Sequence, residues 1–166
     1  GADWHNVLGE MRGGEKQDQG VAIGGHLDSW DLGTGAIDDG AGVAITVAAA
    51  KILKDSGVRP KRTIRVILFA NEENGLDGAK AYAAVHGKET HQLVSESDLG
   101  AGNIYKFHTS VTDAGTPWKK EIAESLVPLG IAAGEHVAGD GPHMSPRVDD
   151  HAPPAVPRRL AVNAQF

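Results

Sequence analysis

Apolar and polar positions along this chain follow two periods, and the switches between them predict its elements. Val21-Ala22-Ile23 and Ile64-Arg65-Val66-Ile67-Leu68-Phe69 are short, β-branched apolar runs. The second is nearly continuous, as expected of a strand buried on both faces of a parallel sheet. Between them, Val43, Ile45, Val47, Ala50 and Leu53 or Ile52 recur near helical spacing over Gly42 to Ser56. Asp38 or Asp39 supplies the opening cap and Gly57 the stop, so the unit is a strand-helix-strand crossover. An Ala-rich helix follows over Leu76 to His86, then a third strand at Gln92-Leu93-Val94-Ser95, ending at Asp98. Ile104 to Phe107 reads as a further strand at an edge. Trp118, Ile122, Leu126 and Leu129 mark an amphipathic helix over Trp118 to Leu129. Beyond Leu129, Gly139, Gly141 and five of the eight prolines crowd the segment to Pro157. There the pattern offers only a short strand at Ala155-Val156, and Arg158 to Phe166 reads as frayed. Alternating strands and helices make this an α/β sandwich around a mostly parallel sheet.

Composition narrows the function classes. With 166 residues and 40% hydrophobic content, the chain is the size of one domain with a real core. Sixteen basic residues stand against 22 acidic ones, net -6, with no Lys/Arg-rich block, which argues against a nucleic-acid partner. The longest apolar stretch, Val43 to Ala50, is interrupted by Thr46 and too short to span a bilayer. No membrane partner is expected. Nothing at Gly1 resembles a signal peptide, as a removed leader would also leave it. With no cysteine present, any metal must be held by His, Asp and Glu.

Those residue types cluster where apolar runs stop. His26 and Asp28 follow the first strand, and if the extended conformation persists their side chains share a face. One can then bind a metal while the other steadies the imidazole. Asp38-Asp39-Gly40 precedes the crossover helix; two adjacent acids cannot both cap it, and Asp38 is assigned as a carboxylate bridging two cations. Glu72-Glu73 follows the Ile64 to Phe69 strand, at the carboxyl edge where open α/β sheets bind ligands. Glu73 is assigned to metal, and Glu72 to a metal-bound water from which it takes a proton for the leaving amine. Glu96-Ser97-Asp98 repeats the theme, with Asp98 the better terminal ligand. His5, His86, His91, His108 and His136 lack such a setting and read as surface or hydrogen-bonded residues.

The run Gly24-Gly25-His26-Leu27-Asp28-Ser29-Trp30-Asp31-Leu32-Gly33, continued by Asp38-Asp39-Gly40, Glu72-Glu73 and Ser95-Glu96-Ser97-Asp98, resembles the M28 family of zinc metallopeptidases. The likeness is strongest to its plasma glutamate carboxypeptidase-like branch. That resemblance implies a three-layer α/β/α fold with a mostly parallel mixed sheet, a peptide substrate and two zinc ions, in a protein that is secreted, periplasmic or lysosomal. It leaves a homo-oligomer open. By it, His26, Asp38 and Asp98 hold one zinc, Asp38 and Glu73 hold the other, Glu72 is the general base and Asp28 orients His26. It also makes Asp38-Asp39 a candidate cis peptide.

The family takes its last zinc ligand from a histidine in a loop beyond the final strands. Here Gly139-Asp140-Gly141 is followed by Pro142-His143-Met144-Ser145, and no histidine lies between Pro157 and Phe166. The expectation is one peptidase domain over 1–166 whose C-terminal part is incomplete or divergent from about residue 139, with His143 and His151 the substitutes on hand. The leading function is an exopeptidase, aminopeptidase or dipeptidase. The alternatives are a catalytically impaired or non-catalytic relative serving as a binding module, and a single-zinc acyl transferase of glutaminyl-cyclase type.

Overall fold

A computed structural model of the chain describes residues 3–98, 102–104, 106–110, 116–134 and 160–165. Seven strands and three helices follow in the order β1 (Val7–Met11), β2 (Lys16–His26), α1 (Gly40–Asp55), β3 (Arg62–Phe69), α2 (Asp77–His86), β4 (Thr90–Ser97), β5 (Lys106–Ser110), α3 (Thr116–Leu126), β6 (Ala132–Gly134) and β7 (Leu160–Gln165). The strands form one sheet in the order β1-β3-β2-β4-β7-β5-β6. β3, β2, β4 and β7 run parallel, while β1 and β5 each pair antiparallel with a neighbour. The α/β fold with a mixed, mostly parallel sheet is thus present.

Register explains which face each helix covers. Ala22 of β2 stands beside Arg65 of β3 and Val94 of β4, and Gly24 stands beside Ile67 and Glu96. Alternation therefore puts Ala22, Ile67, Phe69 and Val94 on one face, where they meet Ala79 and Tyr82 of α2 as the apolar core. Gly25 faces the other way, toward Asp39, Gly42 and Val43 at the start of α1. α1 buries little of the apolar face that the sequence pattern picked out: Val43 and Ala50 are half-buried and Ile45, Val47, Ile52 and Leu53 exposed, while Gly42 and Thr46 are buried. The helix comes down on small and polar residues instead, with the Thr46 hydroxyl donating to the Gly24 carbonyl at 2.9 Å.

Four expectations are corrected. The segment read as frayed contains β7, which sits inside the sheet between β4 and β5; the alternation Leu160, Val162, Ala164 carried that signal. β5 begins at Lys106 and is flanked by β7 and β6, so it is not an edge strand. The third helix ends at Leu126, and Val127–Leu129 is a 3-10 turn closed by Gly130 at φ 74. β1 and the polar first half of β2 were not read at all, because Glu10 and Lys16 to Gln19 give no apolar period. Ala155-Val156 lies outside the described residues.

At the end of the sheet remote from His26, Arg65 ties β1, α2 and the start of β4 together. Its guanidinium donates to Glu10 Oε2 from Nε at 3.0 Å and Nη2 at 2.8 Å, and from Nη1 to Glu89 Oε2 and the Tyr82 hydroxyl, each at 2.7 Å. His86 bonds Glu89 at 2.6 Å, and the buried His91 bonds Tyr82 at 2.8 Å, in keeping with the hydrogen-bonded reading of both histidines. The His86 ring and then the Arg65 guanidinium hold the Glu89 carboxyl below its ordinary 4.5. A carboxyl depressed in this way stabilises the fold above its unfolded pKa, and that stability is lost as pH falls. Arg65→Met is therefore expected to cost about 1–3 kcal/mol at neutral pH. In denaturant titrations the gap to wild type should narrow below pH 4.5; a gap that stays constant with pH would refute the assignment.

Candidate metal centre

His26 closes β2 and is 1% exposed. Its Nδ1 lies 2.9 Å from the main-chain oxygen of Asp28. A carbonyl only accepts, so Nδ1 carries the proton and Nε2 presents its lone pair. That lone pair faces Asp38 Oδ1 at 3.0 Å and Asp98 Oδ1 at 3.6 Å. Two anionic oxygens turned toward an imidazole lone pair repel it unless a cation lies between them or the ring takes a proton. Without a metal the balance goes to the proton. Burial pulls the His26 pKa down, but Asp98, Asp39 and Glu72 outweigh it and raise it to about 10.

The loop into α1 separates the two aspartates by task. Asp39, 1% exposed, accepts from the His26 N–H at 2.8 Å and from the Gly42 N–H at 3.1 Å, so it is the helix cap. Asp38 is left to face His26. The peptide bond joining the two is cis, as the family resemblance implied.

Glu72 and Glu73 lie in the turn between β3 and α2. Asp28 holds that turn: its Oδ1 accepts from the Glu72 N–H at 2.8 Å and its Oδ2 from the Glu73 N–H at 3.1 Å. The Asp28 carboxylate is 3.7 Å from His26 Nδ1, farther than the residue's own carbonyl. Burial, then the charges of Asp98, Glu73 and Asp28, push the Glu72 carboxyl up. Glu73 is raised by burial and next by Asp38, and its Oε1 is buried without a hydrogen-bond partner. Glu96, beside Gly24 in the sheet, is raised to about 7 by burial and by Asp98, Glu72 and Asp39.

Ligand atoms of His26, Asp38 and Asp98 lie within 4.8 Å of one another, as do those of His26, Glu72 and Glu73. The structure thus brings all six sequence-selected residues, Asp28 included, to one end of the sheet. The donor set of one imidazole and several carboxylates, with the orphaned Glu73 oxygen and no Lys or Arg among the groups shifting these acids, fits a divalent cation. His143 and His151 lie outside the described residues.

Sequence reasoning missed the residues that fix the Glu72–Glu73 turn from outside. Asn6 accepts from the Ala70 N–H at 3.0 Å and donates to the Gly78 carbonyl at 2.7 Å. Asn71, at φ 53, donates to Asp77 at 2.6 Å. An asparagine just past a strand was the available signal for the second, since Asn tolerates the left-handed region; Asn6 offered none.

Comparison with known proteins places the constellation. The sequence profile of peptidase family M28 matches residues 6–155. The chain belongs to peptidase family M28. Among curated relatives of this M28 chain, carboxypeptidase Q of Xenopus laevis is 46% identical over 134 residues, covering 80% of the chain and 29% of the relative. Carboxypeptidase Q of Bos taurus is 37% identical over 156 residues, 93% of the chain and 33% of the relative. The chain thus spans about a third of the length of the curated relatives it matches. Among solved structures, a peptidase M28 precursor from Shewanella amazonensis superimposes with a TM-score of 0.79 at 46% identity, covering 95% of this chain and 35% of that one. Among the described residues, no helix is long and apolar enough to cross a membrane.

Proposed function

We propose that this M28 chain carries the catalytic centre of a zinc-dependent exopeptidase that hydrolyses a peptide bond near a free terminus. The observation that carries the reading is the convergence of His26, Asp38, Asp98, Glu72 and Glu73 at the carboxyl end of the central strands, around the lone pair of His26 Nε2. His26, Asp38 and Asp98 would hold one zinc, and Asp38 and Glu73 would contribute to a second. Bound zinc supplies Lewis acidity, polarising the scissile carbonyl and lowering the pKa of water. Glu72 takes the proton of the attacking water and passes it to the leaving amine, a task suited to a carboxyl whose pKa burial has raised. Asp39 keeps His26 and the start of α1 in register. Kinship to the carboxypeptidase Q proteins supports the reaction class. Residues of peptide substrates on either side of the cut are assigned to no pocket.

Zinc titration and removal test this directly. Nearly two zinc ions per chain are expected, with hydrolysis of an aminoacyl or dipeptide substrate dependent on them. With zinc at a hundred times its Kd, binding stabilises the fold by about 2.7 kcal/mol. Chelation should accordingly lower Tm by about 5–10 °C for a domain of this size. A chain that binds one zinc or none, with no hydrolysis and no change in Tm, is a binding module instead.

A further inference from the structure

We propose that Asp28 is a positioning residue that sets the spacing between the two halves of the metal centre: its carboxylate grips the Glu72–Glu73 turn while its main chain grips the His26 ring. The inference rests on the proposed zinc chemistry for its consequence and on geometry alone for its content. β2 ends at His26, so the alternation of an extended strand no longer governs Asp28. Its side chain is free to swing toward β3, and its two oxygens meet two successive backbone N–H groups at 2.8 and 3.1 Å. The carboxylate is thereby spent on the turn, while the carbonyl at 2.9 Å fixes the His26 tautomer.

The other restraints on the turn act elsewhere. Asn6 clamps its two ends at Ala70 and Gly78, and the Asn71–Asp77 bond closes the loop on itself. Among the described residues, the Asp28 hydrogen bonds are the side-chain contacts that join Glu72 and Glu73 to the end of the strand carrying His26. One residue therefore registers the base and the Glu73 ligand against the His26, Asp38 and Asp98 ligands.

Asp28→Asn separates this role from that of an imidazole-orienting carboxylate. The amide keeps one acceptor oxygen and turns an NH2 against the second backbone N–H, yet leaves the Asp28 carbonyl where it is. In the metal-free chain, the Glu72 and Glu73 amide protons should exchange about 10-fold faster or more in the variant, with the His26 ring 15N shifts unchanged. In zinc titrations the tighter ion should be held within about threefold of wild type, whereas the weaker ion loses about 10–100-fold and kcat falls with little change in KM. Asp28→Glu, which keeps the charge but not the reach, should show the same split. Unchanged amide exchange, altered His26 ring 15N shifts, or equal weakening of both ions would overturn the proposal. Failure of wild type to bind zinc would sink the functional reading instead and leave the exchange result to decide this one.

Discussion

Glu72→Gln is expected to lower kcat for aminoacyl-anilide hydrolysis by about 10²–10⁴-fold while zinc content and KM stay close to wild type. That loss corresponds to about 3–5.5 kcal/mol of transition-state stabilisation. The reason lies in how little else the substitution touches. Glu72 is fixed through its backbone N–H, which donates to Asp28, so a side chain of equal size is carried to the same place. What disappears is the ability to take up and release a proton. The surroundings of Glu72 make that ability useful, because burial and the charges of Asp98 and Glu73 raise its carboxyl above the ordinary carboxylate value. If the variant retains activity within about threefold, the general-base role is wrong. If zinc content falls in parallel with kcat, Glu72 is a ligand, a role that its proximity to His26 and Glu73 also allows.

The largest effect on stability is expected from Gly42→Ala. A Cβ there would fall against the Ser97 carbonyl oxygen and the Asp39 carboxylate, well inside contact distance. Neither neighbour can retreat easily: one is the backbone of β4, the other is the cap that also holds the His26 N–H. Alanine gains about 1 kcal/mol of helix propensity over glycine, but overpacking against fixed atoms costs about 3 kcal/mol or more here, so the clash wins. Urea melts should report a net loss of about 2 kcal/mol or more. Because the start of α1 abuts Ser97, next to Asp98, zinc affinity should fall with stability. A variant as stable as wild type would mean that α1 can lift from β4 without cost.

The candidate metal centre was legible because its residues stand where apolar runs stop, and in a parallel sheet those points come together at one edge. His26, Asp38, Glu72, Glu73 and Asp98 all follow that rule. Asp28 followed it only in part: two-residue spacing put it on the face of His26, but the strand stops at His26 and the carboxylate turns to the neighbouring loop. Helix α1 was located correctly; of the apolar positions picked out, Val43 and Ala50 are half-buried, while Gly42 and Thr46 are the residues buried against the sheet. β1 escaped notice because an exposed edge strand such as Val7–Met11 needs no apolar period. β7 escaped because its short Leu-Ala-Val-Asn-Ala alternation follows a proline-rich stretch that drew the reading toward loop.

The position of β7 bears on how the fold is reached. The residues of the candidate metal centre lie on or beside β2, α1, β3 and β4, with β2 and α1 each touching the other three. Even there the β2–β4 pairing that brings Asp98 to His26 is long-range, joining Ile23 to Ser95. β4, carrying Asp98 at its end, keeps one open edge until Leu93 to Ser97 pair with Leu160 to Ala164. Closing so distant a pairing is slow, and an unpaired parallel edge beside apolar residues invites association meanwhile. The working end of this protein therefore forms only with one long-range pairing, and the shielding of its β4 edge waits on a second, with β7.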